Sequence, residues 1–387
     1  MIRNNYTNNK FLSKEKKLII LYLSDSKASE TNIPFRLVQI INSEDSDFKI
    51  IFKQLNINNM FLILFKIFKS RICNEIILVH SHHLKSLIIN IIYKLISNIF
   101  GIKLITYHSF LCELKRFSNI KLIIFKISKI FIDEYICVSK ELNYSWGNFL
   151  NRNIHFIKVG ISKNDKDIIQ SKSINKNNLF LNLRSKDKCF TITQVGRLEE
   201  VKRPLFIFDI LNKIILKKNQ KIKLYFAGNG NMKQSLIQKI NEFNSSYRIQ
   251  LNIDIEYLGF INRLQLLDLI SKTNLYINTS YSEGCLVTAM EFLSNPFCKL
   301  ILPDVKSIKD IYNCRRSSFY ATNDKNSLLN HIQDNLQNFY DYEVDQFSFT
   351  YPNDFEDFIL ENSTKFLINL YLSSALKVKK EFSKKNS

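Results

Sequence analysis

Along this chain, short unbroken apolar runs alternate with longer amphipathic ones, and the series occurs twice. KLIILYL, FKIIF, EIILVH, IKLITY, YICV and HFIKV follow one another from Lys17, and CFTITQV, KIKLYFAG, LNIDIEYLG, LYINTS and KLILP follow from Cys189. A parallel strand covered by helices on both faces has no polar side, so it reads as a continuous apolar run. Strands of this kind alternating with helical stretches make a doubly wound parallel sheet. The pattern predicts an α/β protein of two such domains facing a central cleft, and 387 residues suit two domains of about 180.

Helical spacing predicts helices over His83 to Phe100, Arg116 to Phe131, Arg203 to Leu216, Asn231 to Asn241, Arg263 to Ser271, Leu286 to Leu293 and Asp354 to Lys380. Between the two series, Ile161 to Lys188 has little periodicity and much Asn, Lys and Ser. We read residues 1–165 as the first domain, 166–188 as a linker, 189–350 as the second domain, and 351–387 as a C-terminal helix and basic tail packing back towards the first domain.

Charge is uneven. Residues 1–190 hold 30 Lys and Arg against 14 Asp and Glu, whereas the remainder holds 25 against 21. A first half of that sign suits an anionic surface, either lipid head groups or nucleic acid, although solvated lysines account for it equally well. In Arg116 to Phe131, Lys121, Lys126 and Lys129 interleave with Ile and Phe. Such a helix can lie on a membrane surface or cover a sheet with its lysines in water. The longest apolar runs are broken by Lys or Asn well short of the ~18 residues of a membrane span. No secretory signal is visible in Met1 to Lys17, so a cytoplasmic chain is expected, peripheral at the inner face of the membrane if it binds lipid.

Seven widely spaced cysteines with no C-x-x-C pair predict reduced thiols, mostly in the core. No His/Cys cluster has zinc-ligand spacing, and neither a structural metal nor a cofactor is expected. Asp45-Ser46-Asp47 and Asp165-Lys166-Asp167 match an Asp-x-Asp pattern, but both lie in polar text and read as solvated.

The most informative stretch for chemistry is LYINTSYSEGCLVTAME, Leu275 to Glu291. A buried strand runs into a polar turn holding Glu283 and Gly284, then into a helix holding Glu291 about two turns in. Both carboxylates can face one ligand across the helix start, where the amides of Gly284, Cys285 and Leu286 point at an anion. Upstream, TITQVGRLEEVK ends a strand at Gly196 and supplies Arg197 and Lys202, a planar donor fork and a mobile cation suited to a diphosphate. Gly228 and Gly230 mark a strand-to-helix turn, and Gly259 follows the next strand. In the first half, ITYHSF puts His108 just past a strand end; His80, His82 and His83 are weaker candidates.

In this succession the segments resemble retaining glycosyltransferases of the two-Rossmann (GT-B) type, the group called glycosyltransferase family 4. The resemblance spans about residues 75–315 and is strongest over 190–296, on Val195 to Leu198 with Lys202, Gly228 to Gly230, Leu258 to Gly259, and Glu283 to Glu291. It implies a nucleotide-sugar donor and a glycan or lipid-linked saccharide acceptor, in lipopolysaccharide, O-antigen or capsule assembly. Arg197 and Lys202 would hold the diphosphate without a metal, Glu291 the ribose and Glu283 the donor sugar; Gly284 and the next amides would line the phosphate, and His108 would approach the reacting sugar. Asn295 stands where the group generally has glycine, and Asn tolerates the positive φ that such a turn can take. The first strand lacks the usual glycine-rich loop. A non-catalytic basic protein on the same fold, or an inverting transferase, remains an alternative. No nucleic-acid recognition motif is present, and no nucleic acid is expected as partner.

Overall fold

In a computed structural model the chain forms two compact units. The first comprises residues 1–137, 143–157 and 364–387, and the second 138–142 and 158–363. The structure describes residues 18–24, 48–54, 56–73, 75–110, 113–181, 188–284, 286–341 and 358–383. Asp45, Asp47, Cys112 and Cys285, and the loop after the first strand, lie outside these described residues.

In chain order the first unit's elements are β1 (Leu18–Ser24), β2 (Phe48–Gln54), α1 (Ile57–Cys73), β3 (Ile76–His82), α2 (His83–Ile99), β4 (Leu104–Phe110), α3 (Asn119–Ser128), β5 (Glu134–Cys137), α4 (Lys140–Leu150) and β6 (His155–Phe156). The second unit continues with α5 (Lys163–Leu181), β7 (Phe190–Val195), α6 (Phe208–Leu211), β8 (Ile222–Ala227), α7 (Lys233–Leu251), β9 (Ile253–Tyr257), α8 (Arg263–Lys272), β10 (Leu275–Ile277), α9 (Val287–Leu293), β11 (Lys299–Pro303), α10 (Lys306–Tyr312), β12 (Ser317–Tyr320) and α11 (Lys325–Asp341). Last comes α12 (Leu360–Ser383).

Each unit is built on a six-stranded parallel sheet, in the orders β2-β1-β3-β4-β5-β6 and β12-β11-β10-β7-β8-β9. The apolar runs form the sheets as expected, and β3 and β4 are buried along their whole length. In the second sheet, Ile192, Leu224, Ile255 and Ile277 feed one core layer with α11, while Tyr276, Leu300 and Leu302 feed the other with α8, α9 and α10.

Some expectations change. The helix read over Arg203 to Leu216 is a series of turns around the four-residue α6. The low-periodicity stretch read as linker holds α5, a 19-residue helix packed on α8. Its hydrophobic contribution is sparse, Ile169 and Ser173 being among its few buried side chains. At the chain's other end, Ile359 bridges Ile161 in parallel, and the Leu360 amide donates to the Ile161 carbonyl at 2.8 Å. From Thr364 onward α12 belongs to the first unit, where Ser374 meets the Tyr107 hydroxyl at 2.6 Å.

Candidate functional site

In the second sheet β7 and β10 are neighbours, yet β8 and β9 extend one way and β11 and β12 the other. Winding therefore reverses between β7 and β10, and ligands of open α/β sheets bind beyond the strands' carboxyl ends at such a reversal. Arg197 and Lys202 lie in the loop after β7, and Glu283 in the loop after β10.

Backbone and hydroxyl bonds fasten these two loops together. The Tyr281 amide donates to the Val201 carbonyl at 3.0 Å, and the Thr279 hydroxyl lies 2.9 Å from the carbonyls of both Lys202 and Arg203. Gln194 on β7 reaches the same hydroxyl with its Nε2 at 2.7 Å. Arg203 locks the corner. Its Nε donates to the Thr279 carbonyl at 2.7 Å, its Nη1 to Asn323 Oδ1 at 3.1 Å and its Nη2 to the Thr322 carbonyl, and its plane lies 4.2 Å from the Phe206 ring and 4.0 Å from that of Tyr281.

On this frame the Lys202 ammonium forms an ion pair with Glu283 Oε1. Glu283 is buried, and the same oxygen accepts from Ser280 Oγ at 2.7 Å, while its main-chain carbonyl accepts from Ser307 Oγ at 2.5 Å. A buried carboxylate is tolerable when a cation and a hydroxyl serve it. Lys202 and Glu283, 81 residues apart in sequence, are thus brought into direct contact.

The other two expected ligands are placed differently. Arg197 is largely exposed, and its Nη1 pairs with Glu199 at 2.7 Å. Glu291 is buried in α9 and accepts from Arg263 Nη1 at 2.6 Å; Arg263 Nη2 holds Asp165 at 2.8 Å. Burial works against the guanidinium's charge, but the two carboxylates outweigh it and raise its pKa. Glu291 is the fifth residue of α9, one turn into the helix rather than two. Asp165, expected in solvent, is instead buried in this triad.

The glycines act on one another's loops. A Cβ at Gly228 would sit 1.8 Å from the Gly196 carbonyl oxygen, and one at Gly230 would sit 2.3 Å from that of Leu198. Hydrogen bonds complete the contact: Gly196 to the Ala227 carbonyl at 3.0 Å, Leu198 to Asn229 at 2.9 Å, and Gly228 to the Gly259 carbonyl at 2.8 Å. The close approach that the G-x-G turn permits is thus to neighbouring backbone. Gly284 and Leu286 are buried ahead of α9, and the Leu286 carbonyl accepts from the Tyr312 hydroxyl. Asn295 does not take a positive φ. Its side-chain amide closes the turn instead, donating to the carbonyls of Ile270 at 2.8 Å and Thr273 at 3.0 Å.

In the first unit His108 lies inside β4, not past its end, and is buried. Its Nδ1 meets Ser81 Oγ at 3.0 Å, its ring packs near Phe110 and Phe125, and burial holds its pKa well below the ordinary histidine range. On the sheet's opposite face His80 meets Ser109 Oγ at 2.6 Å and the Tyr371 hydroxyl, and stacks on His82. Both ring nitrogens of His82 are buried without a hydrogen-bond partner. Among the described residues no three His, Cys, Asp or Glu side chains are grouped to hold a metal. Of the five described cysteines, Cys137 and Cys298 are buried, whereas Cys73 is exposed.

Arg203 and Arg263 were not singled out as site residues from the sequence. Arg203 directly follows Lys202, and the capping box Asn262-x-x-Gln265 flags the start of α8 that carries Arg263. Asp165 was noted only in an Asp-x-Asp pattern, and its polar surroundings pointed to solvent.

The family model described as glycosyl transferases group 1 matches residues 175–338. Comparison with curated proteins gives no match. Over nearly its full length the chain is similar to several solved structures. HepE from Anabaena in complex with UDP is 11% identical with a TM-score of 0.63, over 94% of this chain and 99% of that one. The lipopolysaccharide outer core galactosyltransferase WaaB in its apo form is 15% identical with a TM-score of 0.60, over 92% and 99%. The N-terminal domain of trehalose-6-phosphate phosphatase from Candida albicans is 12% identical with a TM-score of 0.69, over 95% and 98%. The chain therefore has the GT-B fold of two Rossmann-like parallel-sheet domains, and the stretch that matches glycosyl transferases group 1 contains the paired loops at the winding reversal of its second sheet.

Proposed function

We propose that the protein is a retaining glycosyltransferase that moves a sugar from a nucleotide diphosphate to a glycan or lipid-linked acceptor. The observation that supports the reading is the contact between half-buried Lys202 and buried Glu283, a cation and an acid at the winding reversal of a sheet matched by the group 1 model. Similar folds crystallised with UDP and with UDP-glucose support a nucleotide-sugar donor. In this reading Lys202 and Arg197 neutralise the departing diphosphate and Glu283 accepts hydroxyls of the transferred sugar. Glu291 binds the ribose, with Gly284 and the following amides near the phosphates. The diphosphate oxygen leaves from the anomeric carbon on the face that the acceptor hydroxyl enters. That oxygen takes the hydroxyl proton, so no enzyme nucleophile and no metal is required. Buried in β4, His108 contributes through the shape and polarity of the first unit. A place in lipopolysaccharide or other surface-polysaccharide assembly, peripheral to the cytoplasmic membrane, completes the proposal.

A thermal-shift panel of UDP-, GDP- and ADP-sugars tests the donor. A ligand at about 100 times its Kd adds roughly 2.7 kcal/mol to stability. Arg197→Ala and Glu283→Ala should each lower kcat/KM by roughly 10 to 150-fold, equivalent to about 1.5–3 kcal/mol. Unchanged turnover in both would remove the site assignment, inversion at the anomeric carbon would remove the mechanism, and no response to any nucleotide sugar would favour a non-catalytic binding protein.

A further inference from the structure

The first unit's helix layer is apolar on its outer surface as well as towards the sheet. Strand order β2-β1-β3-β4-β5 makes the crossovers through α1, α2 and α3 step in one direction. Right-handed crossovers then set these helices side by side on one face of the sheet. Contacts agree: the Tyr93 hydroxyl of α2 donates to the Met60 carbonyl of α1 at 3.1 Å, the Phe68 and Phe100 rings lie 5.1 Å apart, and α2 packs on α3.

Towards the sheet the helices bury Ile63, Ile67, Leu87, Tyr93 and Phe125 together with small polar side chains, among them Ser70, Ser86, Asn90, Ser97 and Ser128. Asn90 Nδ2 donates to the Tyr107 carbonyl at 2.9 Å, and Ser128 Oγ to that of Phe125 at 2.6 Å. Towards solvent they present large apolar ones. Ile88, Ile92, Leu95 and Ile99 form a stripe along α2; Ile120, Ile123, Ile127 and Ile130 form another along α3 and the turn after it. On α1, Phe61 is 68% and Phe65 67% exposed. Of the 23 exposed large apolar side chains among the described residues, 14 lie between residues 61 and 130, a density that marks a covered surface rather than scatter. These three helices hold seven Lys and Arg and no Asp or Glu; Lys94 is held inward by Asp133 and the Leu104 carbonyl, and Lys129 adds a cation at the C-cap of α3.

We propose that this face docks on an anionic lipid bilayer, the three helices lying in the head-group layer with their Ile and Phe side chains among the upper acyl groups and their cations at the phosphates. A second copy of the chain is a poor occupant, because it would set cations against cations with no acid between them. A nucleic acid would satisfy the charges and leave the isoleucines without an apolar partner. None of the described helices is long and apolar enough to cross the membrane, so the contact is interfacial. Glycosyl transfer is not required for it.

The test is sedimentation of the full chain with vesicles of phosphatidylcholine alone and with phosphatidylglycerol added. Binding should require phosphatidylglycerol and weaken with added salt. The triple variant Lys69→Gln, Lys121→Gln and Lys129→Gln should lower partitioning about a hundredfold, at about fivefold per cation removed. Phe65→Ser with Ile123→Asn should lower it too, with circular dichroism and melting unchanged because both side chains are exposed. Failure of the folded chain to bind phosphatidylglycerol vesicles would overturn the proposal, as would binding that neither variant alters. A concentration-dependent dimer abolished by Phe65→Ser and Ile123→Asn, without vesicle binding, would assign the face to a second copy. The nucleotide-sugar thermal shift, measured without vesicles, decides the donor reading separately.

Discussion

Arg263 shows how one side chain can determine what another is available to do. It holds Glu291 and Asp165 together, all three buried, so one guanidinium serves two desolvated carboxylates. Arg263→Met should therefore destabilise the protein by about 3–5 kcal/mol, the usual result of stranding buried charges, and urea unfolding measures it. Glu291→Gln keeps an acceptor for the guanidinium and should cost less. If Glu291 also binds ribose, this milder variant will still weaken nucleotide binding; equal affinity would make Glu291 a purely structural acid. The pairing explains why this site was only partly legible. The text around Lys202 and Glu283 pointed to two loops that the fold brings into contact. Nothing local showed that Glu291 would be met by an arginine 28 residues upstream that also holds an aspartate from a polar run expected in solvent.

Elements were legible where the physical signal was continuous. Ten of the strands in the two sheets follow apolar-rich runs, and even the two-residue β6 begins one. β12 escaped notice because it is an edge strand of four residues, SSFY, three of them only half-buried, with no apolar run to display. α5 escaped for a different reason. Its buried positions are too few to create a period, and it is fixed by packing on α8 and by Asp165, which are tertiary effects. The turn after β8 is the clearest sequence signal with a changed meaning. Gly230 is required by the Leu198 carbonyl beside it, so Gly230→Ala must push two backbone segments apart. A cost of about 1–3 kcal/mol is expected, together with weaker nucleotide binding as the loop carrying Arg197 shifts. A melting temperature equal to that of the parent would show that the loops can separate freely.

At the scale of the molecule, the two units should respond differently to acid. The first contains His80, His82 and His108, all buried and neutral. Burial lowers the His80 pKa to about 3 and those of the other two well below the ordinary value. The rings around His80 are His82, Tyr22, Tyr107 and Tyr371, and burial pushes the phenols' pKa up, so they supply no negative charge to hold a proton. An unfolded histidine takes up its proton below about pH 6.5 while these folded ones do not, so the stability they confer is present above that pH and is lost as pH falls towards the folded values. From about pH 7.5 to about 5.5 each contributes a loss of about 1.4 kcal/mol, and the three together about 4 kcal/mol. Trp146, the chain's one tryptophan, is buried in the first unit and stacks 3.9 Å from Phe110, so its fluorescence follows that unit's unfolding. The urea midpoint read from Trp146 should drop over this range, and a midpoint that stays constant would mean that the three rings already reach solvent and carry their protons in the folded chain.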